Sequence, residues 1–128
     1  MTKKPKRVGI IDGKFHPCPS SPNCVSTQST DEKHKMEPLK FEGSLEEVKS
    51  KIINIIKSLK RSKIITDAEN YLHIEFRTAV WRFVDDVEFY FDDTEKNIHF
   101  RSAARLGYSD MGVNKKRMEN IKISFMNS

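Results

Sequence analysis

The sequence predicts an α+β fold in which a four- to five-stranded antiparallel meander carries two helices on one face. Two segments with apolar residues at helical spacing enclose a block of short alternating runs, so the predicted order is β-α-β-β-β-β-α. The connections within that block are too short for parallel crossovers, which favours hairpins. An extended arm that contains proline and cysteine precedes these elements, and 128 residues fit a single domain.

The N-terminal third differs in composition from the rest of the chain. All five prolines and a polar run without periodicity, Ser26–Lys35, lie there. We therefore expect a basic tail over residues 1–14 and a single domain over residues 15–128. Within that domain, residues 15–38 form the extended arm, with a mobile stretch near 28–35, and residues 39–128 form the sheet and helices.

The first helix is predicted from a capping box. Ser44 precedes the apolar stripe and Glu47 follows three positions later, so the hydroxyl and carboxylate satisfy amide donors reciprocally. The stripe consists of Leu45, Val48, Ile52, Ile55, Ile56 and Leu59. Lys57, Lys60 and Arg61 then place cations in the expected last turn. A short strand over residues 39–42 is expected before this helix.

Alternating apolar and polar residues predict the strands. The runs are 63–67, 71–78, 83–91 and 97–105. The apolar face of the sheet is expected to carry Leu72, Ile74, Phe76, Phe83, Val87, Phe89, Phe91, Ile98 and Phe100. Because a shift of one residue would invert the faces, the pattern also predicts register, with Ile74 opposite Val87 and Phe89 opposite Phe100.

The last helix is expected from Val113 or Asn114 to about Met126, with Asn114 as its N-cap. Its apolar stripe is Met118, Ile121 and Phe125. The two helices would cover the apolar face of the sheet and leave the other face open.

The predicted open face is polar. It carries Glu75, Arg77, Asp86, Glu88, Arg101 and Arg105, edged by Tyr71, His73, Tyr90 and His99. Glu75 opposite Asp86 is a pair of like charges, which requires a cation, and Arg101 and Arg105 can supply it. Two interpretations stay open: a solvated face with cross-strand ion pairs, or a concave surface that binds a ligand.

Asp85 breaks the alternation because it falls on the apolar face. A buried carboxylate requires a partner, and Arg117 is the expected one, although a functional acid or base at this position stays open. Lys115, Lys116 and Arg117 also put cations in the first helical turn, which the macrodipole disfavours. Either nearby carboxylates, such as that of Asp110, or a bound anion would compensate for them.

The two cysteines, Cys18 and Cys24, are predicted to be buried free thiols because a cytosol is reducing. With His16 and His34 they read H-x-C-x5-C-x9-H, which admits zinc, although this is not the spacing of a zinc ribbon or knuckle. A nucleophilic Cys24 and a Cys18–Cys24 disulfide also stay open. Both residues are thus candidates for reactive or structural cysteines.

Charge and hydropathy exclude some functional classes. The net charge of +5 falls to about +1 without Lys3, Lys4, Lys6 and Arg7, so nucleic acid is not a favoured partner. The sequence contains neither an apolar run of about 20 residues for a membrane span nor the apolar core of a signal peptide, and cytoplasmic localisation is expected. No metal site and no cofactor are predicted.

Three segments carry a resemblance to a known family. They are Cys18–Ser26 (CPSSPNCVS), Phe83–Phe89 (FVDDVEF) and the Arg101–Arg117 run with its Arg, Gly, Asp and Asn positions. Together they resemble the bacterial family catalogued as domain of unknown function 1499, from about Cys18 to the end of the chain. Ala104 and Lys115 depart from the pattern, which tends to carry Ser and Arg there. The resemblance implies a fold but no assigned reaction or cofactor.

The sequence therefore favours an uncharacterised binding or interaction module for a small anionic ligand or an acidic segment of a protein partner. The candidate ligand-binding residues are Arg101, Arg105, Arg117, Asp85, Asp86, Asp110 and Asn114, which we expect to cluster at one end of the sheet. Two further hypotheses are a hydrolase-like enzyme, with Asp85 or Asp110 as acid–base group or Cys24 as nucleophile, and a protein that docks through its N-terminal arm. No catalytic residue is assigned.

Overall fold

The computed structural model describes residues 7–79, 83–107 and 110–128. Its strands are β1 (Ile10–Ile11), β2 (Lys14–Phe15), β3 (Cys24–Ser26), β4 (Leu39–Lys40), β5 (Ser62–Ala68), β6 (Tyr71–Arg77), β7 (Val84–Asp92) and β8 (Asn97–Ala104). Its helices are α1 (Leu45–Lys57) and α2 (Val113–Met126). Neither helix, at 13 and 14 residues, reaches the length and hydropathy needed to cross a membrane.

The predicted antiparallel meander is confirmed and is larger than expected. Within the described residues, six strands form one sheet in the order β3-β8-β7-β6-β5, and β4 also pairs with β8. The extra strand comes from the arm, because β3 pairs antiparallel along the outer edge of β8, with Cys24 opposite Ala103. A separate two-stranded sheet, β1–β2, comes from residues assigned to the tail and the arm.

The predicted registers are also confirmed. Ile74 lies opposite Val87 and Phe89 opposite Phe100. These pairs place the apolar side chains of the central strands on one face, where α1 and α2 cover them. Val87, Phe89, Phe100 and Ile74 are fully buried there. The strict alternation of the sequence thus determines which face becomes the core.

Helix α1 begins as predicted and ends earlier. The Ser44 hydroxyl accepts a hydrogen bond from the Glu47 amide at 3.1 Å, and Val48, Ile52 and Ile56 are buried. The helix ends at Lys57, where the amide of Ser58 bonds back to carbonyl groups of the last turn. Arg61 has a φ of 61°, so it lies outside the helix that was expected to include it.

The expectation of an open second sheet face is wrong, because the β1–β2 hairpin packs against it. Asp12 and Gly13 form its turn with φ values of 53° and 75°, and two positive φ values of this kind suit a two-residue hairpin. A Cβ atom on Gly13 would lie 3.2 Å from Tyr90 Oη, so glycine also permits close packing on the sheet. Val8 and Phe15, which belong to this N-terminal segment, are themselves buried.

The arm is more structured than the sequence suggested. In the stretch expected to be mobile, the Ser26 amide donates to the His34 carbonyl at 2.8 Å. The buried ring of His34 bonds to Asp31 Oδ2 at 2.6 Å and to the Ser21 carbonyl at 2.8 Å. Phe83, predicted on the apolar face, precedes β7 and is 55% exposed.

Candidate functional site

A layer of polar side chains lies on the sheet face that the N-terminal segment, with its β1–β2 hairpin, and the arm cover, and we call it the buried polar layer. It consists of Tyr71, His73, Glu75, Asp86, Glu88, Arg101 and Arg105. His73 and Glu88 are 0% exposed, Arg101 2% and Asp86 3%. The interpretation of this face as solvated is therefore wrong, because the N-terminal segment and the arm cover these charges. Charges that are buried in this way require partners.

Arg105 neutralises the like-charge pair that the register creates. Glu75 lies directly opposite Asp86, and Arg105 Nη2 bonds to both carboxylates, at 2.9 and 2.7 Å. Its Nε donates to the second Asp86 oxygen at 3.0 Å. The expectation that an arginine supplies this cation is confirmed. These bonds to Asp86 and then to Glu75 raise the pKa of Arg105, so it stays charged.

His73 is a second donor to Asp86. Its Nε2 lies 2.8 Å from Asp86 Oδ1, which places the proton on Nε2 because the carboxylate only accepts. Burial alone would raise the pKa of Asp86, but the hydrogen bonds from His73 and Arg105 outweigh burial and lower that pKa. His73 Nδ1 has no hydrogen-bond partner within the described residues.

Glu88 ties the N-terminal segment to the sheet. Its Oε2 accepts from Tyr71 Oη at 2.6 Å and from the Gly9 amide at 2.9 Å. Burial raises the pKa of Glu88, and the bonds from Tyr71 and Gly9 oppose that rise only in part. Burial, together with the Glu88 charge, raises the pKa of Tyr71, so its hydroxyl remains a donor.

Arg101 is buried with few partners, in contrast to Arg105. Its Nη1 lies 3.8 Å from Glu88 Oε1, which is an ion pair without a hydrogen bond, and its Nη2 donates to the Pro17 carbonyl at 3.4 Å. Its Nε has no partner in the described part of the chain. Burial lowers the pKa of Arg101, and the charges of Glu88 and Asp86 oppose that effect. This guanidinium therefore has unused donor capacity.

A cavity of about 250 Å³ lies beside Arg101, and we call it the Arg101 cavity. Its lining combines charged groups of the sheet with residues of the N-terminal segment and arm: Arg7, Val8, Pro19, Asp86, Arg101, Ala103, Ala104 and Arg105. The Arg105 Nη1 atom is also buried and has no partner among the described residues. The cavity is therefore bordered by two arginines whose donors are not fully used.

A larger, open groove of about 750 Å³ lies beside the start of α1 and the end of α2, and it is a weaker candidate for a ligand site. Two of its ammonium groups already have partners. Lys51 Nζ lies 5.1 Å from the centre of the Phe125 ring, and Lys96 Nζ lies 5.3 Å from that of Phe41. These cation–π contacts leave those groups less free to bind a ligand.

The other sheet face carries a second polar cluster beneath α2. Arg117 Nη2 donates to Asp85 Oδ2 at 2.7 Å and its Nη1 donates to Asn114 Oδ1 at 2.8 Å. The Ser102 hydroxyl bonds to the same Asn114 oxygen at 2.5 Å. Burial raises the pKa of Asp85, and the charge and hydrogen bond of Arg117 counteract that rise. The predicted Asp85–Arg117 pair is confirmed.

The Asp110 carboxylate supplies the negative charge that compensates for the cations in the first turn of α2. Its Oδ1 accepts from the Gly112 amide at 2.9 Å, and its Oδ2 accepts from the Asn114 amide at 3.0 Å. The N-cap residue itself is Gly112, with a φ of 81°. The prediction of Asn114 as N-cap is wrong, because Asn114 lies inside the helix and bonds Ser102 and Arg117.

The predicted site residues do not form one group. Because neighbouring residues of a strand point to opposite faces, Asp85 and Asp86 lie on different sides of the sheet. Asp86, Arg101 and Arg105 lie on the face that the N-terminal segment and the arm cover, beside Val8 and Pro19. Asp85, Asp110, Asn114 and Arg117 lie beneath or at the start of α2. The expectation of a single cluster is therefore wrong.

Sequence reasoning missed the residues that close the Arg101 cavity. Arg7 and Val8 come from the expected tail, and Pro19 comes from the arm. One signal was available: Asp12-Gly13 after two isoleucines is a strong short-range indicator of a hairpin. That signal predicts the hairpin but does not say which surface it covers.

The prediction of buried free thiols is wrong, because Cys18 and Cys24 form a disulfide with an S–S distance of 2.07 Å. Their Cα atoms are 5.7 Å apart, so the proline-containing loop does turn back on itself. The bond removes both sulfurs as zinc ligands or nucleophiles. It also fixes one wall of the Arg101 cavity, since Pro19 lies within the closed loop.

Reduction of this disulfide is expected to lower the free energy of unfolding by about 2 kcal/mol, because the short loop regains entropy in the unfolded chain. Urea denaturation with and without a dithiol measures the difference. The double variant Cys18→Ser/Cys24→Ser serves as control and should not respond to the dithiol. Equal midpoints for the oxidised and reduced wild type would contradict the expectation.

The fold and the site define a small α+β domain whose sheet is covered on both faces and holds a cationic cavity beneath its N-terminal segment. The chain belongs to the family described as protein of unknown function (DUF1499), which it matches over residues 14–125. The resemblance inferred from the three sequence segments is therefore confirmed. No curated protein matches the chain.

Proposed function

We propose that this protein is a binding module for a small anion, which occupies the Arg101 cavity. The observation that carries the proposal is the Arg101 guanidinium: it is 2% exposed, its Nε has no partner among the described residues, and it borders a cavity. A buried cation with unused donors is stabilised by an anion that supplies the missing acceptors.

The size of the cavity favours a small ligand over an acidic segment of a partner protein. A volume of about 250 Å³ lies below the range of roughly 300–1,000 Å³ that is typical of pockets for drug-sized molecules. Arg117 does not extend the site, because it lies on the other face and bonds Asp85. The proposed ligand-binding residues are therefore Arg101 and Arg105, with Arg7 at the rim and Asp86 holding Arg105.

A hydrolase-like enzyme receives less support from the geometry. Asp85 is held by Arg117, Asp110 accepts three hydrogen bonds at the start of α2, and Cys24 is in a disulfide. A general base requires a carboxylate that can reach its substrate, and a thiol nucleophile requires a free sulfur. We therefore favour binding without chemistry.

The cellular compartment stays a prediction. The sequence-based expectation was the cytoplasm, whereas the Cys18–Cys24 disulfide favours an oxidising compartment, since cytosolic thiols are kept reduced. Trapping of free thiols in fractionated cells distinguishes the two. Free thiols in the native protein would support the cytoplasm, and a disulfide in every molecule would support the oxidising compartment.

A titration by NMR tests the proposed function. We expect at least one small anion, from a panel of acetate, butyrate, phosphate, sulfate and chloride, to shift the Arg101 Nε–H resonance in a saturable manner. The Arg101→Gln variant should bind that anion at least tenfold more weakly. The matched control is Arg77→Gln, because Arg77 is an arginine of the same sheet face that does not line the cavity.

If Arg101→Gln folds poorly, the shift of the Arg101 Nε–H resonance in the wild-type protein still decides the test. That variant leaves Glu88 without its nearest cation, so its fold is checked by circular dichroism. If none of these anions perturbs the Arg101 Nε–H, or if Arg77→Gln weakens binding as much as Arg101→Gln, the proposed function is overturned.

A further inference from the structure

We infer that the anion bound in the Arg101 cavity is a short aliphatic monocarboxylate. This inference rests on the proposed function and specifies its ligand. Three features of the site point to this class: the balance of fixed charges, the apolar part of the lining, and the shape of the unused donors.

The charge balance favours a ligand with one negative charge. Four guanidinium groups and three carboxylates line the cavity or belong to its ion pairs: Arg7, Arg77, Arg101 and Arg105 against Glu75, Asp86 and Glu88. With these groups ionised, the fixed charges sum to about +1. A monoanion then cancels this excess, whereas a doubly charged phosphate or sulfate leaves a net negative charge beside buried carboxylates. The cost of uncompensated buried charge rises steeply with its magnitude.

The remaining lining favours a ligand with an apolar portion. Val8, Pro19 and Ala103 contribute no charge, and Val8 and Ala103 are 9% and 7% exposed. A compact inorganic anion would leave these surfaces in contact with water. An alkyl chain covers them, and each buried methylene is expected to improve affinity by about fourfold. The small volume limits that chain to a few carbons.

The unused donors suit a planar carboxylate. Arg101 Nε and Arg105 Nη1 are both buried, and neither has a partner in the described part of the structure. Each carboxylate oxygen can accept from one guanidinium, and the planar geometry of both groups favours such bonds. The apolar tail then extends from the carboxylate along the alanine and proline side of the cavity.

A chain-length series on the wild-type protein tests the inference. Acetate, propionate and butyrate are titrated by NMR at constant ionic strength, together with phosphate, sulfate and the neutral amide butyramide. We expect affinity to rise about fourfold with each added methylene and to exceed that of phosphate and sulfate. Butyramide should bind at least tenfold more weakly than butyrate, because it lacks the charge.

The variant Ala103→Val provides a size control that changes no charge. Its added methyl groups reduce the cavity, so the preferred acid should become shorter while Arg101 still responds. Tighter binding of phosphate or sulfate than of butyrate, or equal affinities along the series, would overturn the carboxylate inference and leave the proposed function in place. No response of Arg101 to any anion would overturn the proposed function itself.

Discussion

Replacing Arg117 by methionine is expected to lower the free energy of unfolding by about 3–5 kcal/mol at neutral pH. The substitution leaves the Asp85 carboxylate, 2% exposed, as a buried charge without its cation, and breaking a buried pair on one side carries a cost of this size. Methionine retains much of the contact that the arginine makes with the Phe76 ring. Urea denaturation measures the change.

The same variant should show a characteristic dependence on pH. Burial already raises the pKa of Asp85, and Arg117 is the main group that opposes this rise, so its removal raises the folded-state pKa further. A carboxyl group whose pKa is higher in the folded state is protonated in both states at low pH, where it costs nothing. As the pH rises from about 4, the unfolded chain ionises first and stability is lost.

The neighbouring Lys116→Met variant is the matched control, because Lys116 is an exposed cation of the same helix. It should change stability by less than about 0.5 kcal/mol. The double variant Asp85→Leu/Arg117→Met, which removes both charges, should recover most of the loss. A loss in Arg117→Met that is equal at pH 4 and pH 7 would show that the unpaired carboxylate is not its cause.

Replacing Glu88 by alanine is expected to destabilise the protein by about 3–5 kcal/mol and to release the N-terminal segment from the sheet. The change removes the nearest carboxylate of Arg101 and the acceptor of both the Tyr71 hydroxyl and the Gly9 amide. Denaturation measures the stability. Hydrogen exchange should accelerate more at the amides of Gly9 to Phe15 than at the amides of β7.

Glu88→Gln separates charge from shape. Glutamine can still accept from Tyr71 and Gly9, so we expect a smaller loss of stability and near-normal protection of the hairpin. Glu95→Ala, at an exposed position of the β7–β8 turn, should have little effect. Unchanged hairpin protection in Glu88→Ala would show that other contacts hold the N-terminal segment in place.

The sequence alone was sufficient for features that depend on short-range geometry. Alternation along residues 71–77 and 84–92 determined the core face and the register, since a slip of one residue would place charges in the core. The Ser44 cap and the apolar stripe of α1 were also predictable, because both depend on residues only a few positions apart in the sequence. The Asp85–Arg117 pair was also predictable, because an isolated carboxylate on an apolar face requires a cation.

Only the tertiary structure decided what covers the polar face. The alternation of polar and apolar residues around Glu88 and Arg101 is the same whether these side chains face water or lie under another segment of the chain. The cover comes from β1 and β2, two residues each, whose position depends on contacts over long sequence separations, such as Gly9 to Glu88. The Arg101 cavity follows from the packing of the same N-terminal segment. Local periodicity encodes how a strand faces its neighbours, but it carries no information about which distant segment excludes water from it.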